Sequence, residues 1–301
     1  MMMSGNHFLL RSAGLLLLFF FFDFAFSQIM LLGLNKYYGI DDKPDVLING
    51  SSMSMSGFNR KDIEHLTGLQ VSNYSYEGVT VKDRHAMIDH FFNVYPEGIR
   101  TVVYEVNPIL FSSFKSADNV YSIFYPYMDN KVIDQYIKQN APRREYFANK
   151  IIRTKRYDSR LNRLIIRGLL NNYDNLKTNS LDSAVIEHLY LRKETINIGM
   201  EKSAMSMFEN TMDLIESHNS DIILIMMPMY YMKLNTFNQD EYKLLVDYLE
   251  NLCSSRDHIK FLDLNNDSLI FNPAFFSDPL HFNSSGQRQI TKEICNLLTE
   301  N

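Results

Sequence analysis

Cysteine is nearly missing from this chain: Cys253 and Cys295 are the two present among 301 residues. That excludes a disulfide-dense scaffold and a cysteine-built metal cluster, although an exported location would permit the two to pair. Histidine is also sparse, eight in all, and its spacing makes no compact metal-binding motif. No internal repeat and no low-complexity linker punctuates the sequence. With 46% hydrophobic and 22% charged residues, the chain is neither a disordered tail nor a polytopic transporter. About 260 residues come after the first apolar stretch, enough for a sizeable core, so that part reads as one large domain or a domain with an insertion.

The first apolar stretch decides where the protein works. From Ser12 to Leu34 the chain reads SAGLLLLFFFFDFAFSQIMLLGL, with Asp23 its one formal charge. As a helix it is long enough to cross a bilayer. His7 and Arg11 precede it, a basic flank that keeps the amino terminus in the cytoplasm and places the chain beyond Lys36 outside. A cleaved signal peptide is the alternative, because Ala25-Phe26-Ser27 offers small residues to a signal peptidase and would leave Gln28 first. Apolar residues resume directly after that point, which favours an uncleaved anchor. Residues 1–35 are read as the anchor or signal segment and 36–301 as the folded domain. Asp23 is costly in hydrocarbon: either a partner or polar cavity receives it, a membrane protein that supplies acyl groups being one such partner, or it is an incidental residue that is harmless once protonated.

The remainder alternates strands and helices. Val46 to Ile48, Gln70 to Tyr74, Thr101 to Val106, Asp221 to Met227 and Ile259 to Leu264 read as strands. The unbroken apolarity of Ile222 to Met227 fits a central parallel strand covered on both faces. Asn59 reads as the cap of a helix starting at Arg60, Thr80 with Asp83 as a capping box, and Ser284 with Gln287 as the cap of the terminal helix. This order predicts an α/β fold with a parallel sheet. More than a hundred residues separate the third and fourth strands, far beyond a normal crossover, which predicts a helical insertion over about 109–220. Within it, Arg143 to Arg167 carries nine basic residues against Glu145 and Asp158. Such a segment suits a solvated face, anionic lipid head groups or an anionic polymer. Nucleic acid is not expected for a chain anchored outside the cytoplasm.

Two short motifs carry the chemistry. Gly50-Ser51-Ser52 comes after the first apolar strand, where open α/β sheets place their ligands. Asp278-Pro279-Leu280-His281 puts a carboxylate three positions before an imidazole, so one loop can hold a proton acceptor and the group that fixes its tautomer. Together they supply a nucleophile, a base and an orienting acid. His85 and His90 read as structural or surface residues, and Met226, Met227 and Met229 as core filling and crevice lining.

This arrangement resembles the SGNH/GDSL hydrolase superfamily over most of Asp45 to Leu298. In that family a serine closes a glycine-containing block after the first strand, which matches Ser52; the usual Asp before it is Ser51 here, as in divergent, membrane-anchored branches concerned with cell-envelope acylation. The second block's glycine matches Gly78 in Tyr76-Glu77-Gly78. The third block's asparagine matches Asn107, although Val106-Asn107-Pro108 stands where Gly-x-Asn-Asp is common. The fourth block, Asp-x-x-His, is intact at Asp278 and His281, and Asn283 with Gly286 continues it. The resemblance implies a three-layer flavodoxin-like fold, an acyl intermediate on Ser52, and an oxyanion site made by the amides of Ser52 and Gly78 and the side chain of Asn107. It implies no metal and no cofactor.

Three functions are compatible with these residues. A serine-dependent O-acyl transfer to a cell-envelope polysaccharide is placed first, because the anchor and Asp23 favour coupling to a membrane acyl donor. An esterase acting on glycan or small ester substrates uses the same three residues with water as acceptor. A noncatalytic envelope-assembly protein would retain the fold alone.

Overall fold

The computed structural model of the protein describes residues 5–112, 119–191, 195–266 and 268–299. Stretches 113–118 and 192–194 of the expected insertion lie outside the described residues. Helix α1 (Gly5–Tyr38) leads into strand β1 (Val46–Asn49), helices α2 (Ser52–Gly57) and α3 (Arg60–Thr67), β2 (Val71–Asn73), α4 (Val81–Val94) and β3 (Thr101–Val106). Helices α5 (Lys131–Asn140), α6 (Arg143–Ile151), α7 (Ser159–Leu169), α8 (Ser183–Leu191) and α9 (Lys202–Ser217) precede β4 (Asp221–Met226). Then come α10 (Tyr231–Leu234), α11 (Gln239–Ser255), β5 (Ile259–Asp263), the antiparallel pair β6 (Phe276–Asp278) and β7 (His281–Phe282), and α12 (Ser284–Thr299). The chain forms two compact units, one of Met1–Tyr37 with Tyr121–Asn172 and one of Tyr38–Val120 with Tyr173–Asn301. The long stretch between β3 and β4 is therefore divided between them.

The second unit is built on a five-stranded parallel sheet of order β2-β1-β3-β4-β5. Every residue of β1 and β3 is buried, as is every residue of β4 after Asp221, the pattern of strands covered on both faces. The chain leaves β1 toward β2 and returns on its other side as β3. Such a reversal opens a crevice at the strands' carboxyl ends. Local capping sets the helix starts: Asn59 accepts from the amides of Lys61 and Asp62, and Thr80 and Asp83 form a reciprocal capping box. At α12 the chain departs from the expected cap. Asn283 Oδ1 accepts from the amides of Ser285 and Gly286, while the Gln287 side chain accepts from the Asn175 amide. Asparagine caps as well as serine does, and the residue one position earlier takes the role. Cys253 in α11 and Cys295 in α12 are free thiols.

His90 on α4 is buried against Tyr74, its Nδ1 3.2 Å from the phenol oxygen. Burial lowers its pKa from 6.5 to about 4. Between those values the unfolded chain binds a proton that the folded chain refuses, so stability is lost as pH falls through this window. His90→Gln keeps a polar partner for Tyr74 without titrating. It is expected to remove on the order of 2–3 kcal/mol from the destabilisation between pH 7 and 4.5, read as a smaller acid shift of the melting temperature.

The first unit is organised around α1. From His7 to Tyr38 it is long and apolar enough to cross a membrane by length and composition, with a mean hydropathy of 2.2 in its apolar window. Its large side chains from Leu15 to Phe22 are exposed. From Asp23 onward one face is covered: Asp23, Ser27, Leu34 and Tyr37 are buried, a spacing that keeps them on one side of a helix. Asp23 Oδ2 accepts from the Arg153 amide at 2.7 Å, and Oδ1 accepts from the Thr154 amide at 2.9 Å and its hydroxyl at 2.6 Å. Tyr157 donates to the Ser27 carbonyl at 2.9 Å. Further along, α7 approaches so closely that a Cβ on Gly168 would lie 1.9 Å from the Gly33 carbonyl oxygen. Polar groups of the chain itself thus surround Asp23.

Candidate active site

Ser52 begins α2, separated by two residues from the end of β1, at the crevice end of the sheet. Ser51 is the residue that caps this helix, its hydroxyl accepting from the Met53 amide at 3.3 Å. The short pair β6 and β7 delivers Asp278 and His281 from the far end of the chain. Ser52 Oγ lies 2.8 Å from His281 Nε2, and His281 Nδ1 lies 2.8 and 3.0 Å from the two Asp278 oxygens. Asp278 Oδ1 also accepts from the backbone amides of Leu280 and His281, each at 3.0 Å, which locks the loop around the carboxylate. Burial pushes the Asp278 carboxyl upward. The hydrogen bond and charge of His281, the Leu280 amide and Lys177 Nζ at 3.2 Å outweigh it and hold the group well below the usual carboxylate range. It is an anion at neutral pH, placed to fix Nδ1–H on one side of the ring and leave Nε2 facing the serine.

Glu105 is the residue that sequence reasoning missed. It is 0% exposed on β3, yet its carboxylate accepts four hydrogen bonds. Oε1 receives the Ser51 hydroxyl at 2.6 Å and the Asn107 amide nitrogen at 2.8 Å; Oε2 receives the amides of Ser51 and Ser54, each at 2.9 Å. One buried acid therefore clamps the turn on both sides of Ser52 and ties it to Asn107. The close approach also explains Gly50, where a Cβ would lie 2.2 Å from Ser54 Oγ and 2.5 Å from Glu105 Oε2. A signal was available in the sequence: a lone acid inside the apolar run Thr101 to Val106 must find partners if that run is a buried strand.

Asn107 comes directly after β3, with Oδ1 held by the Leu110 amide at 2.9 Å. Its amide group has two hydrogens, and Glu105 takes one. Gly78 sits in a turn with φ of +74°, a conformation that suits glycine. Ser52, Gly78, Asn107 and His281 line one cleft of about 800 Å³, whose wall includes Val79, Ile109, Leu110, Met207 and Met229. The structure thus brings all five sequence-predicted residues to one place: four line the cleft, and Asp278 lies behind His281. Of the methionines, Met226 and Met227 are buried in the core, and Met229 lines the cleft while also buried. His85 and His90 lie on α4 and bond Thr211 and Tyr74 respectively.

No protein-family model matches the sequence, and no curated protein does. Among solved structures, the chain is similar to a Bacteroides fragilis protein provisionally assigned as an acylhydrolase. The two are 12% identical with a TM-score of 0.44, over 88% of this chain and 95% of that one. It is also similar to a Streptococcus pneumonia protein provisionally assigned as a platelet activating factor, at 11% identity and a TM-score of 0.39, over 90% of this chain and 91% of that one.

Proposed function

We propose that this chain is a membrane-anchored serine acyltransferase of SGNH/GDSL type, passing an acyl group from a membrane donor to a cell-envelope polysaccharide. The observation that carries the reading is the hydrogen-bonded series Ser52, His281, Asp278 opening on a cleft with an apolar wall. The sheet order β2-β1-β3-β4-β5 supports a flavodoxin-like assignment, in which ligands lie at the switch point. The apolar helix α1 supports a single-pass anchor with the sheet unit outside the cytoplasm. Outward-facing residues of α1 are where a membrane acyl-donor protein would meet it.

In the first step His281 Nε2 takes the proton as Ser52 Oγ adds to the acyl carbonyl carbon. Asp278 steadies the imidazolium that forms. The tetrahedral oxyanion is met by the backbone amides of Ser52 and Gly78 and by the second hydrogen of the Asn107 amide, held in place beforehand by Glu105 and Leu110. His281 returns its proton to the leaving oxygen, and the acyl-serine remains. A sugar hydroxyl then gives its proton to His281 and adds to the acyl-serine carbonyl; the second tetrahedral intermediate expels Ser52 Oγ, which takes that proton from His281. Asn107→Ala is expected to slow the chemical step by about a hundred- to a thousandfold, equivalent to about 2.7–4 kcal/mol, and to cost about 1–2 kcal/mol of stability because the Leu110 amide and Glu105 each lose a partner.

A product assay with an acyl donor, a soluble glycan and water tests the reading. Acylated glycan that disappears in Ser52→Ala is the expected result. Free acid with no acylated glycan supports an esterase instead. Unimpaired envelope function in cells carrying Ser52→Ala supports a noncatalytic assembly role.

A further inference from the structure

The helical part of the first unit carries a surface that neither the anchor nor the proposed chemistry uses. Phe147 and Ile151, one turn apart on α6, are 60% and 61% exposed. They lie just before Arg153 and Thr154, whose amides hold Asp23 of α1. At that level α1 exposes Phe24 and Phe26, and the Arg153 guanidinium lies 5.2 Å from the Phe24 ring centre. Phe147, Ile151, Phe24 and Phe26 are thus exposed apolar side chains on two segments that the Asp23 hydrogen bonds tie together. The segment that holds α6 is rich in basic residues. Asp129 pairs with Arg153 and Arg156, Asp134 with Lys138 and Lys150, and Asp158 with Arg160. Arg143, Arg144 and Lys155 are exposed and have no carboxylate partner among the described ion pairs.

The geometry points to a second membrane contact: the tip formed by α6 and the turn after it sits in the head-group region of an anionic bilayer, with Phe147 and Ile151 at the acyl boundary and Arg143, Arg144 and Lys155 toward lipid phosphates. An exposed apolar pair beside exposed cations is the composition of an interfacial segment. Counting back from Asp23, α1 from Gly5 to Phe22 has a length of about 27 Å at 1.5 Å per residue, near the thickness of the hydrocarbon core; this sets the span earlier than the Ser12–Leu34 stretch, with Arg11 reaching back to the inner head groups along its own side chain. Asp23 then falls at the outer boundary, where its three hydrogen bonds hold the tip at a fixed depth. This inference rests on reading α1 as the anchor.

Depth-dependent quenching tests it on the full-length protein in vesicles. Cys253 and Cys295 are replaced by alanine, and a single fluorophore-bearing cysteine is placed at Phe22, Phe147, Ile151 or Leu244, the last an exposed residue of α11. Each variant is checked for the parent's melting temperature, and Phe147 serves if the Ile151 variant fails to fold. With quencher near the phosphates of phosphatidylglycerol vesicles, quenching at 147 and 151 should exceed that at 244 by at least about fivefold, and should weaken in phosphatidylcholine. Quenching at 22 with none at 147 or 151 would overturn the tip contact and leave the anchor standing. Quenching at none of the four would overturn both. Equal quenching in the two lipids would overturn the role assigned to the cations.

Discussion

Asp278→Asn should slow acylation of Ser52 by on the order of 10⁴ while the protein keeps its melting temperature within a few degrees. The size reflects what the carboxylate does. It is the anionic partner of His281 Nδ1 at 2.8 Å, and it remains ionised at neutral pH because His281, the Leu280 amide and Lys177 overcome the cost of its burial. An asparagine presents either an amide N–H, which would make Nδ1 the acceptor and put the proton on Nε2 so that Nε2 no longer accepts from the serine, or a neutral oxygen, which no longer stabilises the imidazolium. Both outcomes act on the transition state. Stopped-flow labelling with a fluorophosphonate measures the rate directly. A rate within tenfold of the parent would mean that Asp278 does not orient the base.

The second large effect is expected at Glu105. Glu105→Gln keeps the volume but replaces one acceptor oxygen by an NH₂ group, in a pocket where the four groups bonded to the carboxylate, from Ser51, Ser54 and Asn107, are all donors. At least one donor is then left facing another donor out of reach of water, and the charge that strengthened the remaining bonds is gone. The expected loss of stability is about 3 kcal/mol. Because the same carboxylate fixes both the Ser52 turn and the Asn107 amide, acylation should also fall by at least about a hundredfold. The two residues should not act independently. The double variant Glu105→Gln, Asn107→Ala should lose less than the product of the single losses, since a misplaced Asn107 has little left to contribute. Additive losses would separate Glu105 from the oxyanion site.

The sheet was readable where side-chain pattern and burial agree. Ile222 to Met226 is apolar without interruption because β4 has neighbours on both edges and cover on both faces. Asn59, Thr80 and Asp83 were readable because capping is a matter of three or four residues. Ser52, His281 and Asp278 stood out by residue type and position after a strand or within one loop. Glu105 did not, since nothing in the local run Thr101 to Val106 says that its carboxylate meets a turn more than fifty residues earlier. The link from Asp23 to Thr154 spans 131 residues, and periodicity carries no information over such a separation. For the same reason the sequence marks one long interruption between Asn107 and Ser220, while the fold groups 121–172 with α1 and 173–220 with the sheet.

The central claim is that Ser52 is the nucleophile, and fluorophosphonate labelling read by peptide mass spectrometry tests it most directly. Three serines lie within three positions of one another, but Ser52 alone has its hydroxyl 2.8 Å from an imidazole nitrogen, whereas the Ser51 hydroxyl is taken by Glu105. The expected result is one adduct, on Ser52, that is lost in His281→Ala. An adduct on Ser51 or Ser54, or labelling of Ser52 that persists unchanged without His281, would contradict the account.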